Sequence, residues 1–387
     1  MDKRTVYMDY NATTPLRAEV KEAMKADLDV YANASSMHEL GRLARTRVEE
    51  ARADVASIIG AGSDDVIFTS GGSESNNTVF ATMFHRGRRG GRTGVVTTKI
   101  EHPCVLNAAR WLEDEGFPVR FLDVDNTGRV DKDQLARALG PDTLLVSVMA
   151  ANNEIGTIQD MEAIGALAKK AGAYFHTDAT QAVGKIPVDV DRWQADYLTL
   201  SCHKLYGPKG VGGLFIRKGA PIEPLIRGGH QEHGHRAGTY NNPGILGFGL
   251  AARLAKSELD DYEAKTRALR NRLRDGLLSA IPKIRINGHP DFVLPNTLNV
   301  SFPGAEGEAI LLYMDLAGIE VSTGSACASG SLDPSHVLLA TGLGPELAHG
   351  SIRFSLGRNS TEDDVDYVLG HLPGIIARLR AMSTVDA

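Results

Sequence analysis

Short apolar runs alternate with helical stretches through residues 66–216, and this alternation limits the fold more than any other feature of the sequence. Helical stretches follow residue 77 and begin near residues 103, 132 and 160. Strands separated by helices tend to lie parallel in one sheet, because each helix crosses back over a sheet face. We therefore expect an α/β fold with a large, mostly parallel sheet and helices on both faces. The predicted strands are residues 66–69, 95–98, 119–124, 144–149, 173–178, 197–200 and 212–216.

The sequence changes character after residue 244. Residues 244–280 predict a long helical stretch rich in Ala, Leu, Arg and Glu, which leads out of the large sheet. Beyond it we expect strands at residues 298–302, 319–322 and 351–355. A closing helix is expected from about residue 361, where Thr361 and Asp364 resemble a capping box. A second, smaller unit should therefore follow the large sheet.

Composition excludes several classes of protein. The 387 residues carry a net charge of −6, which argues against a nucleic-acid surface, and no apolar run approaches the roughly 20 residues of a membrane span. The three cysteines have neither metal-type spacing nor the even number of a disulfide framework, which predicts a reducing, cytoplasmic location. Content of 42% hydrophobic and 23% charged residues is ordinary for a globular enzyme.

Two predicted strands end on side chains that suggest a cofactor. The strand at 197–200 is followed by Lys204, and the strand at 173–178 ends on Asp178, with Gln181 close behind. In open α/β sheets, ligands bind beyond the carboxyl ends of the strands. Pyridoxal 5′-phosphate (PLP) needs a lysine for its Schiff base and an acid for its pyridinium nitrogen. The pair predicts a PLP site, although a lysine that simply reaches solvent is the simpler interpretation of Lys204 alone.

Several further side chains should lie at the same edge of the sheet. Gly72 and Ser73 belong to a glycine-rich turn before a helix, a common anion site, and Ser201 and His203 could donate hydrogen bonds to a phosphate. His102 could lie on the cofactor ring and move a proton, although a lone histidine is more often structural. The amide of Asn153 follows the strand at 144–149.

The glycine-rich loop at residues 227–240 contains His230, His233 and His235. No cluster of cysteines or carboxylates accompanies them, so no metal site is predicted there. The loop is better interpreted as a segment that borders a site or a subunit contact, with Thr239 able to reach a phosphate.

Residues 322–331 surround Cys327 with small side chains, which should leave its thiol outside a packed core. The thiolate fraction of such a cysteine is a strong nucleophile. Cys104 and Cys202 are interpreted instead as inert buried cysteines. Arg353, on the predicted strand at 351–355, could bind a substrate carboxylate through two hydrogen bonds, although a surface arginine is the simpler interpretation.

Taken together, these motifs resemble the cysteine desulfurases of the NifS/IscS type, in the class-V aminotransferase family. The C-terminal portion from Ala348 to Arg378 and the short tail look more like the nitrogen-fixation NifS branch. The motifs that carry the resemblance are Asp9-Tyr-Asn-Ala-Thr-Thr14, Thr69-Ser-Gly-Gly-Ser-Glu74, Glu101-His-Pro103, Asn152-Asn-Glu154, His176-Thr-Asp-Ala-Thr-Gln181, Ser201-Cys-His-Lys204, Arg236-Ala-Gly-Thr239, Gly324-Ser-Ala-Cys327 and Ser351-Ile-Arg-Phe-Ser355.

The resemblance implies PLP-dependent transferase fold type I, which is aspartate-aminotransferase-like. A large PLP-binding domain would span residues 15–255, and a small α+β domain would combine residues 1–14 and 256–387, with the cysteine loop at about 322–333. It also implies a homodimer that converts L-cysteine to L-alanine and passes sulfur to an iron-sulfur scaffold protein.

The resemblance further implies a role for each site residue. Lys204, Cys327 and His102 would be catalytic, and any contact of Cys327 with iron-sulfur cargo would be transient. Asn153 and Arg353 would bind the substrate carboxylate. The cofactor would be held by Gly72, Ser73, His102, Asn153, Asp178, Gln181, Ser201, His203, Lys204 and, from the neighbouring subunit, Thr239.

Two alternatives stay open on the sequence. The first is another fold-type-I PLP enzyme, such as an aminotransferase, which has no need of Cys327, or a selenocysteine lyase. The second is a non-catalytic sulfur-carrier or scaffold-binding protein without cofactor, against which the intact Lys204, Asp178 and Gln181 argue.

Overall fold

A computed structural model of the chain describes residues 4–323 and 333–382. Its strands, in chain order, are β1 (Val6–Tyr7), β2 (Val66–Thr69), β3 (Gly94–Thr98), β4 (Val119–Leu122), β5 (Thr143–Ser147), β6 (Tyr174–Asp178), β7 (Tyr197–Ser201), β8 (Gly212–Ile216), β9 (Arg285–Asn287), β10 (Thr297–Ser301), β11 (Ile319–Glu320), β12 (Ser322–Thr323) and β13 (Ser351–Ser355). Its α-helices are α1 (Ala18–Asp27), α2 (Glu39–Ser57), α3 (Gly72–Arg88), α4 (Pro103–Asp114), α5 (Lys132–Ala138), α6 (Met161–Ala171), α7 (Asn242–Ser257), α8 (Leu259–Ala280), α9 (Gly307–Leu316), α10 (His336–Ala340), α11 (Pro345–His349) and α12 (Glu362–Met382).

The first large feature is a seven-stranded sheet in the order β2-β8-β7-β6-β5-β3-β4. Strands β3 to β7 pair in parallel, whereas β8 runs antiparallel to both β7 and β2. The connection from β7 to β8 is too short to hold a crossover helix, so β8 folds back beside β7 as an antiparallel strand. The predicted mostly parallel sheet is therefore confirmed.

Helices cover both faces of this sheet, because successive side chains on a buried strand point to opposite sides. On β7, Leu198 packs into a core shared with α2, α6 and α7, and Tyr197 packs into a second core shared with α3 and α4. Both side chains are fully buried. Among residues 4–323 and 333–382, none of the helices combines the length and the apolarity needed to cross a bilayer.

A second, antiparallel sheet has the order β12-β13-β10-β9 and packs on α8, α9 and α12. Val6 and Met8 from the N-terminal segment join this core, and β1 pairs in parallel with β11. The stretch predicted as one strand at 319–322 is two strands, because the chain passes at Val321 from its pairing with β1 to its pairing with β13. The predicted helix at 244–280 is likewise two helices, α7 and α8, that meet at Glu258.

The closing helix begins with the predicted capping box. The Thr361 backbone N–H donates to Asp364 Oδ2 at 3.0 Å, and the Asp364 N–H donates to Thr361 Oγ1 at 3.2 Å. Each side chain therefore satisfies a backbone donor that the first turn leaves unpaired.

The loop at residues 227–240 is attached to the edge strand β2 by a buried ion pair. Arg52 and Glu232 form two contacts, Nη1 to Oε2 at 2.5 Å and Nη2 to Oε1 at 3.1 Å, and their side chains are 1% and 2% exposed. Glu232 Oε2 also accepts the backbone N–H of Phe68 at 3.1 Å, and Arg52 Nη1 donates to the Val66 carbonyl at 2.9 Å. The ion pair thus supplies hydrogen-bond partners for a carbonyl and an N–H at the open edge of β2.

Replacing Arg52 with methionine is expected to lower the free energy of unfolding by about 3–5 kcal/mol, because it leaves the Glu232 carboxylate buried without its cation. Methionine keeps most of the apolar volume of arginine, so the loss of stability comes from removing the charge. Chemical denaturation measures the free energy of unfolding of both proteins. The control is Arg192→Met, which removes an exposed pair with Glu162 and should cost less than about 1 kcal/mol. Equal, small losses in both variants would show that the Arg52–Glu232 pair does not hold this loop.

Candidate active site

A cavity of about 340 Å³ opens at the carboxyl ends of the parallel strands. Sequence reasoning placed ligands at this edge, and the structure brings most of the predicted side chains to it. The predicted residues in its wall are Gly72, Ser73, His102, Asn153, Asp178, Gln181, Ser201, His203, Lys204 and Arg353.

Local structure explains how these side chains meet. Strand β6 ends at Asp178, and β7 ends at Ser201, directly before a short 3-10 helix, Cys202–Lys204, that carries the lysine. His102 is the N-cap of α4, which follows β3. Arg353 comes from β13 of the second sheet. Both sheets therefore contribute to one wall.

The N-terminal segment and the α3 helix hold the two predicted cofactor groups in place. Lys204 Nζ donates to the carbonyl oxygens of Asn11 and Ala12 at 2.6 and 2.7 Å. Asp178 is 7% exposed, and its Oδ2 accepts from Asn76 Nδ2 at 2.7 Å while its Oδ1 accepts the Thr180 N–H at 2.9 Å. The carboxylate is thus fixed by two donors.

One corner of the cavity is built to receive an anion. Helix α3 begins at Gly72, inside the turn that the sequence predicted at residues 70–77, and no described side chain caps its N-terminus. Gly71 has φ 155° and ψ −179°, a conformation that suits glycine. A Cβ on Gly72 would lie 3.2 Å from Thr180 Oγ1, so the backbone approaches closely there. Free N–H groups at a helix N-terminus bind phosphate.

Other polar groups in the same corner suit a phosphate as hydrogen-bond donors. Ser201 and His203 line it together with Gly72 and Ser73. Burial lowers the pKa of His203 to about 4, so the ring is neutral at pH 7. The buried hydroxyl of Thr180 finds no hydrogen-bond partner among the described residues and is a further donor that sequence reasoning missed. This donor set, with Lys204 and Asp178, fits PLP.

Arg353 is held in a defined position rather than exposed on a strand edge. Its side chain is 2% exposed, with Nη2 donating to Asp9 Oδ1 at 2.6 Å and Nη1 donating to the Asn153 carbonyl at 3.2 Å. Its buried Nε has no partner in the described part of the chain. The surface interpretation of Arg353 is therefore wrong.

A buried lysine that sequence reasoning missed lies behind Gln181. Lys185 Nζ donates to Gln181 Oε1 at 2.5 Å and to Asn11 Oδ1 at 2.9 Å, and Gln181 Nε2 donates to the Asn11 carbonyl at 3.0 Å. Burial, followed by the charges of Lys204 and Arg353, lowers the pKa of Lys185 well below its usual range. Because the Asn11 carbonyl can only accept, the nitrogen of the Gln181 amide faces Asn11 and its oxygen faces Lys185.

Two predicted site residues are not in this wall. Thr239 is exposed on the loop at 227–240 and does not line the cavity in the described chain. Cys327 lies outside the described residues. The described residues on either side of residues 324–332 do contact the site: Ser322 pairs with Arg353, and Ser335 Oγ donates to Glu154 Oε2 at 2.5 Å. Glu154 directly follows Asn153, and burial raises its pKa to about 7.

Glu101, next to His102, is a buried carboxyl group that retains its proton. Its Oε1 accepts from Thr98 Oγ1 at 2.8 Å and from the Met149 N–H at 2.9 Å, while its buried Oε2 finds no partner in the described chain. Burial raises its pKa to about 8, from a usual value of 4.5. At a pH between 4.5 and about 8, Glu101 therefore keeps its proton in the native protein, whereas in the unfolded chain it has lost that proton.

The Glu101→Gln variant is therefore expected to gain stability over the parent as pH rises from about 4.5 to about 8, and to keep a constant advantage above that range. The sign follows because the parent's free energy of unfolding falls with pH wherever the unfolded chain binds fewer protons. Denaturation of both proteins across this range measures the difference. Glu113→Gln, on the exposed side of α4, is the matched control and should follow the parent. A pH-independent difference for Glu101→Gln would mean that Glu101 ionises normally in the native protein.

Comparison with known proteins agrees with this geometry over nearly the whole chain. The family model described as Aminotransferase class-V matches residues 6–368. The chain is 51% identical over 383 residues to the cysteine desulfurase IscS of Dictyoglomus turgidum, covering 98% of this chain and 97% of the relative. It is 48% identical to the cysteine desulfurase IscS of Methanosarcina thermophila, with 99% and 94% covered. A solved structure described as a NifS-like protein superposes with a TM-score of 0.91 at 40% identity, covering 97% of this chain and 100% of that one.

Proposed function

Because this chain belongs to the class-V aminotransferase family, we propose that it is a PLP-dependent cysteine desulfurase. It converts L-cysteine to L-alanine and holds the sulfur as a persulfide on Cys327. The observation that carries the proposal is the meeting of Lys204, Asp178 and Arg353 in one cavity, in a chain that matches cysteine desulfurases along nearly its full length. The family has PLP fold type I, as the resemblance to cysteine desulfurases implied.

The residues of the cavity suit the cofactor that this family uses. When bound, PLP supplies a protonated ring that takes up the electron pair released at the substrate α-carbon. Lys204 would attach the cofactor, Asp178 would keep its ring nitrogen protonated, Gln181 would contact the ring hydroxyl, and His102 would lie against the ring. The phosphate would be held by Gly72, Ser73, Ser201 and His203, at the start of α3.

The same wall can bind the substrate and move its proton. Arg353, fixed by Asp9, would bind the L-cysteine carboxylate together with Asn153. The amine of Lys204 would take the proton from the substrate α-carbon, since a positioned lysine is a suitable general base. The carbonyl oxygens of Asn11 and Ala12 orient that amine.

Sulfur transfer then requires a nucleophile from outside the described residues. The Cys327 thiolate attacks the substrate sulfur, a sulfur–sulfur bond forms, and the carbon–sulfur bond breaks with its electron pair left on the carbon skeleton. Protonation of that carbon gives L-alanine. The contacts of Ser322 beside Arg353, and of Ser335 with Glu154, support delivery of Cys327 to this cavity.

We also propose a homodimer, with Thr239 reaching the neighbouring cavity. Large apolar side chains support a covered surface: between α1 and α2, Leu28, Tyr31 and Met37 are 68%, 87% and 89% exposed. Leu225 and Ile226, which precede the loop that carries Thr239, are also exposed. An iron-sulfur scaffold protein is the proposed sulfur acceptor. The nitrogen-fixation branch, the cytoplasmic location and the domain boundary at residue 255 stay predictions from the sequence.

The function is tested by incubating the purified, PLP-loaded protein with L-cysteine and measuring alanine and sulfide together. With a thiol reductant we expect the two products in equal amounts; without it, alanine should stop at about one equivalent per subunit, because Cys327 then stays blocked by sulfur. An aminotransferase would require a keto acid and give no sulfide. A selenocysteine lyase would prefer selenocysteine strongly over cysteine. A non-catalytic carrier would bind no PLP and form no alanine.

A further inference from the structure

A second cysteine lies in the cavity wall, beside His102. Cys104 was expected to be an inert buried cysteine, but it lines the cavity, whereas Cys202 is fully buried as expected. Cys104 Sγ is 2.9 Å from His102 Nδ1, and Asn76 Nδ2 is 3.1 Å from the same sulfur. The Asn76 nitrogen is also 2.7 Å from Asp178 Oδ2. Four side chains therefore form a continuous chain of contacts from Asp178 to His102.

The direction of each hydrogen bond in this chain follows from what the groups can donate. The Asn76 amide must face Asp178 with its nitrogen, because the reverse orientation would set the amide oxygen against a carboxylate. The amide nitrogen only donates, so the sulfur of Cys104 accepts from Asn76 and keeps its own proton to donate. The chain thus runs from Asn76 to Cys104 and from Cys104 to His102.

His102 Nδ1 is an acceptor for a second, independent reason. The backbone N–H of Cys104 donates to it at 3.2 Å, as expected for an N-cap side chain. A ring nitrogen that accepts from both an N–H and an S–H carries no proton of its own. In the neutral ring the proton is then on Nε2.

The groups around the pair favour these protonation states. Burial, followed by the charge of Asp178, raises the pKa of the Cys104 thiol to about 12, so it stays an S–H donor. Burial lowers the pKa of His102, the carboxylate of Asp178 on β6 opposes that shift, and Lys204 and His336 add to it. His336, on α10, donates its Nε2–H to the Glu101 carbonyl at 3.0 Å. His102 is therefore neutral at pH 7.

We propose that Cys104 is a positioning residue that fixes the tautomer of His102, so that the ring presents Nε2–H, and not Nδ1–H, to whatever the cavity binds. The hydrogen-bonded chain exists whether or not the protein desulfurates cysteine. Its consequence, a histidine prepared to donate a proton from Nε2 during the reaction, rests on the proposed function.

Nitrogen NMR of histidine in the PLP-loaded protein tests the proposal without using activity. Selective ¹⁵N-histidine labelling, with His102→Gln to assign the signals, should show Nε2 protonated and Nδ1 unprotonated in the parent. In Cys104→Ala the neutral ring loses one donor, so its protonation equilibrium should shift about tenfold toward the cation, or about one pH unit, as expected for one hydrogen bond. Cys104→Ser keeps a donor and should restore most of the parent's behaviour.

Kinetics supply a second readout, and a control variant isolates the contact. In Cys104→Ala the pH profile of kcat should shift in the same direction as the protonation equilibrium of the His102 ring, while KM for L-cysteine stays near that of the parent. Cys202→Ala removes the other described thiol and should leave the His102 signals unchanged. A parent ring protonated on Nδ1 would overturn the proposal, as would a Cys104→Ala ring that titrates like the parent's. Absence of desulfurase activity with the Nε2–H tautomer intact would instead count against the proposed function alone.

Discussion

Replacing Lys204 with alanine is expected to lower kcat by about 10⁴-fold, at the upper end of what a positioned acid-base group contributes, and to end covalent retention of PLP. The lysine has two roles in the proposed reaction, as the attachment point and as the base at the substrate α-carbon. Its amine is oriented by the carbonyl oxygens of Asn11 and Ala12. A side chain without an amine at position 204 can neither form these hydrogen bonds nor attach the cofactor.

Borohydride reduction followed by peptide mapping measures the attachment, and alanine release measures the rate. The parent should carry the cofactor on the peptide that contains Lys204, and Lys204→Ala should carry none. Lys218→Ala, an exposed lysine just after β8, is the control and should behave as the parent does. Lys185 is the informative competitor, because its amine is buried behind Gln181 near the same cavity. Cofactor found on Lys185 in the parent would contradict the assignment of Lys204.

The sequence predicted the large sheet well because most of its strands are buried on both faces. Such a strand is short and rich in apolar residues, and the predicted runs at 66–69 and 212–216 coincide with β2 and β8 to the residue. The positions of Asp178 and Lys204 followed from the same signal, since each is placed by the end of a strand. The local hydrophobic pattern was therefore sufficient to place a site residue whose position depends only on where one strand ends.

Contacts between distant segments could not be predicted in the same way. The sequence left a surface arginine open as an alternative for Arg353, and only the folded contact with Asp9 removes it. The contacts of Lys185 with Asn11 and Gln181 likewise join distant segments or depend on the fold around them. The pairing of β1 with β11, which splits the predicted strand at 319–322, also joins the N-terminal segment to a strand more than 300 residues later in the chain. Short helices such as α10 and α11 lack the length over which a helical period can be recognised.

The positions of Asn76 and Cys104 in the sequence do not predict that the two side chains contact each other. They lie on different helices, α3 and α4, and meet only because both helices cover the same face of the sheet. The motif Glu101-His-Pro103 indicated His102 but not the thiol that follows it. The partners of a catalytic histidine therefore have to be obtained from the folded structure, even where the histidine itself is predicted from the sequence.

The second large effect is expected in Cys327→Ala, which should release alanine and sulfide at least about 10³-fold more slowly than the parent, the scale on which loss of a nucleophile acts. Binding should survive, because Lys204, Asp178 and Arg353 are on other segments of the chain. The variant should therefore retain PLP on Lys204 and still change its absorption spectrum when L-cysteine is added.

Mass spectrometry separates this outcome from a general loss of activity. After L-cysteine is added without reductant, the parent's Cys327 peptide should gain the mass of one sulfur atom, and the Cys104 and Cys202 peptides should gain none, since burial raises the pKa of both thiols and keeps them protonated. Cys202→Ala is the matched control and should accumulate the same persulfide on Cys327. If Cys327→Ala instead released alanine and sulfide as fast as the parent, the sulfur would leave without a protein nucleophile. The cavity would then belong to a lyase, because the remaining described residues can bind L-cysteine and remove its α-proton but supply no thiolate for its sulfur.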